Sequence, residues 1–326
     1  MWLRSPLVNW VKLDPLVTAL GFGCMGLSGA YAYGLQKPDA ERFVLLDKCY
    51  EVGARNWDTA DAYRDNEDLI GNWFAANPDK RQDIFLATKF ANKPKPGGGY
   101  ERLGLSYVDL YYCHHLNGKT PVEQTVRAMA ELKEEGKIKY LGLSECSAES
   151  LRRPYKVHPI SAVQVEYSPF ALDMESPQID LLTTCRNLGV AVVAYSPIGR
   201  GMLSSTIRSP ENFGEGDSRG MRPRFSKENF PKNLELMDRI GALAEKTRVT
   251  ATQLTLAWIM NQGGNIIPIP GTTKIEKLVE SMGSVEVQLS DEEDKEIRQA
   301  CEACEVHGER YPAMFQAALF ADTPEE

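Results

Sequence analysis

The chain has 326 residues, 43% hydrophobic and 25% charged, an ordinary balance for a soluble globular protein. A net charge of −8 argues against a nucleic-acid surface, because phosphate binding calls for a basic face. No apolar run approaches the ~20 residues that span a bilayer, and residues 1–6 hold no extended apolar signal core, so a cytoplasmic protein is expected.

In chain order, short runs rich in Val, Ile, Leu and aromatics predict strands over 17–23, 55–60, 83–90, 108–114, 138–144, 162–168, 190–196 and 265–270. Helical patterns fall between most of them, over 38–52, 66–76, 121–136, 147–156, 177–188, 232–247, 250–262, 273–282 and 290–304. Pro121 opens one helix and Gly136 stops it, and Ser290 followed by Glu293 reads as a capping box. Trp57, Trp73 and Trp258 read as core.

This alternation predicts an α/β fold, a (β/α)8 barrel, over 1–326 as a single domain. Residues 92–104 are rich in Pro and Gly and leave no room for a full helix, so a shortened crossover is expected between the third and fourth barrel strands. A doubly wound open sheet is the competing fold, since residues 21–26 nearly match GxGxxG. The third glycine leads into no amphipathic helix, however, and no acidic residue ends a second strand in the ribose-binding manner. Seven cysteines, scattered and odd in number, are unlike a disulfide framework. Cys301 and Cys304 have CxxC spacing but no second pair, and four histidines make a zinc site unexpected.

In a barrel the loops after the strands build the active site. Asp58, Lys89 and His114 each end a strand, the second, third and fourth, and Tyr63 lies just beyond the first of these. A phenol titrates near ~10, so it serves as a general acid only beside a cation that stabilises the phenolate. Asp58, Tyr63, Lys89 and His114 therefore read as one proton-delivery site. Strand alternation sends His114 to the mouth and His115 to the opposite side, as a surface or loop residue. Gly199, Arg200 and Gly201 read as a phosphate-contacting turn, and Lys274 and Lys277 as cations at a helix start. The Gly-, Arg- and Pro-rich stretch 202–231 fits a clamp over a bound cofactor, or an ordinary surface loop.

With these residues in place the chain resembles an aldo-keto reductase. The match runs from the first strand to Ile269-Pro270-Gly271-Thr272-Thr273-Lys274 and rests on the Asp58-Thr59-Ala60-Asp61-Ala62-Tyr63 run, Ala87-Thr88-Lys89, the strand ending in His114, and Ala194-Tyr195-Ser196-Pro197. It is similar to the branch that holds perakine reductase and fungal and plant relatives. The resemblance implies NADPH-dependent reduction of a small aldehyde or ketone, with Tyr63 as acid, Lys89 lowering its pKa, Asp58 pairing with Lys89, and His114 polarising the carbonyl. It implies that Gly23, Cys24 and Met25 face the nicotinamide, Ser144 and Gln164 hold its carboxamide, and Tyr195 stacks on its ring. Ser196, Pro197, Gly199, Arg200 and Gly201 would run along the pyrophosphate. Gly271, Thr272, Lys274 and Lys277 would surround the 2′-phosphate, with Glu280 near the adenine. Arg64 stands where relatives carry Gly, and the segment holding the third barrel helix is largely missing before Glu101. That deletion motivates a second reading, a barrel that binds NADPH with little turnover. The substrate and the oligomeric state are not legible.

Overall fold

The period-two pattern of the strands decides which side chains meet. In the computed structural model, which describes residues 7–9, 16–29, 36–92, 100–214 and 216–326, a hairpin of β1 (Leu7–Asn9) and β2 (Leu16–Thr18) precedes the main sheet. Then follow β3 (Phe22–Gly23), α1 (Asp39–Glu51), β4 (Asn56–Asp58), α2 (Asn66–Ala76), β5 (Phe85–Phe90), β6 (Val108–Cys113), α3 (Val122–Glu134), β7 (Ile138–Ser144) and α4 (Ala148–Tyr155). The order continues through β8 (Ala162–Glu166), α5 (Leu181–Leu188), β9 (Ala191–Tyr195), α6 (Phe230–Thr247), α7 (Ala251–Asn261), β10 (Ile266–Pro268), α8 (Ile275–Met282), α9 (Asp291–Ala303) and α10 (Ala313–Gln316).

The eight strands β3 to β10 lie side by side in sequence order, and all seven neighbouring pairs are parallel. The sheet curls until its outer strands meet: Gly21 N donates to Pro268 O at 2.9 Å and Gly23 N to Pro270 O at 3.0 Å. The meeting demands glycine. A Cβ on Gly271 would lie 2.5 Å from Gly23 O, and one on Gly23 would lie 2.8 Å from Ile269 O.

Alternate residues face opposite ways. Ala87, Leu110, Tyr112, Ala162, Ala191, Val193 and Ile267 pack together inside the curl, joined by Val17 of the hairpin. Their neighbours Leu86, Tyr111, Cys113, Val163, Val165, Val192 and Ala194 face out, into the larger core that the helices cover. Trp57, Trp73 and Trp258 are buried in that outer layer. On α2 the apolar stripe of Leu69, Ile70, Trp73 and Phe74 is wholly buried, each side chain contributing about 1.5–3 kcal/mol.

The structure corrects two boundaries and adds one contact. The strand expected over 17–23 is split: residues 16–18 pair in the hairpin, the chain bends at 19 and 20, and only Phe22 and Gly23 join the sheet. The helix expected over 177–188 begins at Leu181, because Asp180 is left-handed at φ 50°. The C-terminal segment beyond α9 folds back, with a parallel bridge between Cys146 and Ala321 that the sequence patterns did not announce.

Of the expected short crossover, residues 93–99 lie outside the described residues. Its end is a 3-10 turn over Tyr100–Leu103 laid directly on α2, where Arg102 pairs with Asp68 and a Cβ on Gly71 would meet Leu103 O at 2.5 Å. All seven cysteines are buried and unpaired.

Gly271→Ala is expected to lower stability by about 1–3 kcal/mol, the usual range for overpacking. Urea unfolding checks this, and a variant as stable as the parent would mean that the two strand ends do not meet as closely as described.

Candidate active site

The inward rows end in polar residues at the C-terminal edge of the sheet. Asp58 ends β4, Lys89 lies two residues past the inward Ala87 on β5, and His114 lies two past the inward Tyr112 on β6. Lys89 is 0% exposed, so its ammonium depends on protein partners. Its Nζ pairs with Asp58 Oδ1 and donates to Thr59 O at 2.7 Å, and the other Asp58 oxygen accepts from Gln164 Nε2 at 2.8 Å. Burial pushes the Asp58 carboxyl up, against the opposing pull of Lys89 and Gln164.

Tyr63 stands over this pair, with Lys89 Nζ 5.2 Å from its ring centroid. The His114 ring meets Tyr63 edge-on, centroids 5.8 Å apart at 85°. Burial, helped by Lys89 and His115, holds the His114 imidazole well below the usual histidine range, so it is neutral at pH 7. Its Nδ1 is buried without a hydrogen-bond partner among the described residues. The expectation that His115 turns to the opposite side fails: the two rings stack at 4.9 Å and 12°. β6 ends at Cys113, so alternation has stopped before the pair is reached.

A buried carboxylate the sequence reading passed over supports this site. Glu67 of α2 accepts from Thr88 Oγ1 at 2.6 Å, while its other oxygen is buried without a partner among the described residues. Burial pushes Glu67 up to about 7, with Asp61 adding to the rise and Thr88 opposing it. The local signal was an acidic residue in the first turn of an apolar helix, which normally reads as a solvated N-terminal charge.

Residues 19–302 match the Aldo/keto reductase family. The chain belongs to the aldo/keto reductase family. It is 47% identical to an aldo-keto reductase of Strobilurus tenacellus, over 95% of this chain and 96% of the relative. It is 44% identical to the aldo-keto reductase yakc of Schizosaccharomyces pombe, whose name specifies NADP(+), over 94% and 95%. Among solved structures, a glycerol dehydrogenase from Gluconobacter oxydans superposes with a TM-score of 0.79 at 23% identity, over 94% of this chain and 98% of that one.

Around the rim of this aldo/keto reductase the other expected positions divide. Ser144 and Gln164 are cross-strand partners on β7 and β8 and both are buried, although Gln164 spends its amide on Asp58. Tyr195 ends β9 and donates to Glu145 Oε1 at 2.7 Å. Cys24 is buried and Met25 packs beside Tyr63. Ser196, Gly199, Arg200 and Gly201 all have positive φ, so the turn after Tyr195, with Pro197 inside it, is tightly wound. Arg200 is not an unmatched cation there: its Nη2 binds Glu166 Oε2 at 2.6 Å and Tyr311 Oη at 2.9 Å.

Lys277 pairs with Glu280 at 2.8 Å within α8. Lys274 is exposed and forms the N-cap without a side-chain cap bond, and Thr272 Oγ1 accepts from its N–H at 3.1 Å. Arg64, beside Tyr63, sits at φ 54°, a conformation that costs a side-chain-bearing residue roughly 1–2 kcal/mol.

Sequence reasoning also passed over Glu145, Glu166 and Arg310. Arg310, from the C-terminal segment, reaches Glu145 at 3.2 Å and Asp173 at 2.7 Å, with Glu166 at 3.8 Å. Burial would raise the Glu166 carboxyl, but Arg200, Arg310 and Arg224 outweigh it and hold the group below the usual range.

Glu67 yields a stability prediction. A carboxyl whose folded pKa is raised from 4.5 to about 7 contributes stability that is fully present below 4.5 and lost as pH rises through 7. Glu67→Gln should therefore gain on the parent protein between pH 4 and 8, by a shift on the order of 3 kcal/mol. Urea midpoints at the two ends of that range give the answer, and a difference independent of pH would refute it.

Proposed function

We propose that residues 1–326 act as one NADPH-dependent carbonyl reductase, with the curled sheet closed as a (β/α)8 barrel and the shortened crossover on its flank. The observation that carries the reading is the wholly buried Lys89, paired with Asp58 and set under the ring of Tyr63 beside His114. The NADP(+) in the name of the Schizosaccharomyces pombe relative supports the cofactor.

The residues present fit a dinucleotide. At the start of α8 the backbone N–H groups have no side-chain cap, and Lys274 there has no carboxylate partner among the described residues, which suits a phosphate. Ser144 and Gln164 would hold the carboxamide and Tyr195 the ring. Gly23, Cys24 and Met25 would line the same side. Ser196, Pro197, Gly199, Arg200 and Gly201 would follow the pyrophosphate, and Gly271, Thr272, Lys274, Lys277 and Glu280 the adenosine end. When bound, the nicotinamide supplies a hydride to the carbonyl carbon of an aldehyde or ketone.

The chain's own residues do the rest. Tyr63 gives its proton to the developing alkoxide. The Lys89 ammonium lowers the cost of the phenolate left behind, because an opposite charge nearby favours the ionised form. Asp58 balances Lys89 so that no net charge is stranded in the interior. His114, neutral because it is buried beside Lys89, offers the carbonyl oxygen an uncharged N–H without competing for the proton.

Tyr63→Phe is expected to lower kcat by at least ~100-fold while leaving NADPH binding intact. Steady-state loss of NADPH absorbance with a panel of aldehydes measures it. Near-normal turnover by the variant removes Tyr63 from its role, and tight NADPH binding with no turnover by the parent selects the low-turnover reading instead.

Lys274→Ala is expected to reduce the preference for NADPH over NADH roughly tenfold, the effect of losing one charge-assisted hydrogen bond. Fluorescence titrations with both cofactors decide this. An unchanged ratio moves 2′-phosphate recognition elsewhere.

A further inference from the structure

Among the described residues, Arg222 is the guanidinium of the rim cluster that has no ion-pair partner. It lies between two 3-10 turns, Ser218–Met221 and Pro223–Phe225, and is 8% exposed. Its Nε and Nη1 are buried and meet no hydrogen-bond acceptor among the described residues. Its Cζ rests 4.9 Å from the centroid of Tyr311, the ring that Arg200 also approaches, at 5.0 Å.

The surrounding cations are all provided for. Arg200 pairs with Glu166 at 2.6 Å, Arg224 lies 3.7 Å from the same carboxylate, Arg310 binds Glu145 and Asp173, and Arg219 pairs with Asp217 at 2.5 Å. Glu145, Glu166 and Asp173 thus balance Arg200, Arg224 and Arg310 one for one. Arg222 adds a fourth positive charge with no carboxylate in ion-pair range among the described residues. A ring face offsets only part of the cost of burying a guanidinium. No carboxylate among the described residues supplies the remaining compensation, and a bound oxyanion would.

We propose that Arg222 builds an oxyanion-binding site at the rim, beside Tyr311 and Arg200, that takes a phosphate or carboxylate group. Two sources carry that chemistry: the pyrophosphate of the dinucleotide, and an acidic group on the carbonyl substrate. The reductase reading of the mouth is needed only to name these sources, because the site itself is tested with an inorganic anion.

Arg222→Leu replaces an uncompensated buried charge by an apolar side chain, so the unliganded variant should melt at or above the parent temperature. Sodium pyrophosphate should raise the melting temperature of the parent and of Arg222→Lys, but not of Arg222→Leu. Two further measurements separate the sources. If the anion is the cofactor's, Arg222→Leu weakens NADP+ binding, read from tryptophan fluorescence, at least tenfold and leaves aldehyde preference unchanged. If it is the substrate's, NADP+ binding is unaffected and any preference in kcat/KM for 4-carboxybenzaldehyde over benzaldehyde falls at least tenfold.

A Leu variant with every anion response of the parent overturns the proposal. So does one that melts lower with those responses intact, which would make Arg222 a packing residue on Tyr311. Should the Leu variant not fold, Arg222→Gln removes the charge while keeping a polar side chain and answers the same questions.

Discussion

An ammonium sealed inside a protein has to be matched, and the site is arranged around that requirement at Lys89. Desolvating two charges costs several kcal/mol per ion, and attraction repays this only when the remaining hydrogen-bonding capacity is filled. Here it is filled: Lys89 meets Asp58 and Thr59 O, and the free oxygen of Asp58 accepts from Gln164. These partners come from strands β4, β5 and β8. The pair is thereby fixed to the sheet itself, and Tyr63 and His114 are positioned on a base that cannot swing.

The fixing follows from the two-residue period of the strands. One row of small and apolar residues fills the inside of the curl, and the same row, continued to the C-terminal edge, delivers Asp58, Lys89, Gln164 and Tyr195. No separate device aims them. The cost appears in the backbone, where Arg64 and Ser196, next to Tyr63 and Tyr195, hold positive φ. Strain of this kind persists where the surrounding structure over-determines a position.

What was legible in the sequence was what is local. Strand ends and helix starts could be read because hydrophobic period and capping chemistry act within a few residues: Ser290 and Glu293 form the expected box, and so do Thr250 and Gln253, which was not singled out. The placement of Asp58, Lys89 and His114 at strand ends came from the same local signal. Charge compensation was not legible, because its partners are distant in the chain. Arg200 reads as a phosphate cation, and nothing local announces Glu166, on the preceding strand, as its ion-pair partner. Gly23 and Gly271 read as ligand contacts, yet the close approach of the outer strands already requires both. Residues 310–323 left no periodic pattern to read at all.

That unread segment matters to the mouth. Ala321 N donates to Glu145 O at 2.7 Å and Ser147 N donates to Ala321 O at 3.0 Å, so the tail is stitched to the loop after β7 by an isolated parallel bridge. Farther on, Thr323 Oγ1 accepts from Val122 N at 3.2 Å and from Arg153 Nη2 at 2.6 Å. The stitching holds Arg310 against Glu145, which in turn accepts from the Tyr195 hydroxyl. A buried pair broken on one side leaves an uncompensated charge, which costs far more than the intact pair contributes. The tail is therefore coupled to Tyr195 through charge as well as through backbone. The arrangement at one side of the mouth is set by strands packed early in the chain, and at the other by residues 310–323.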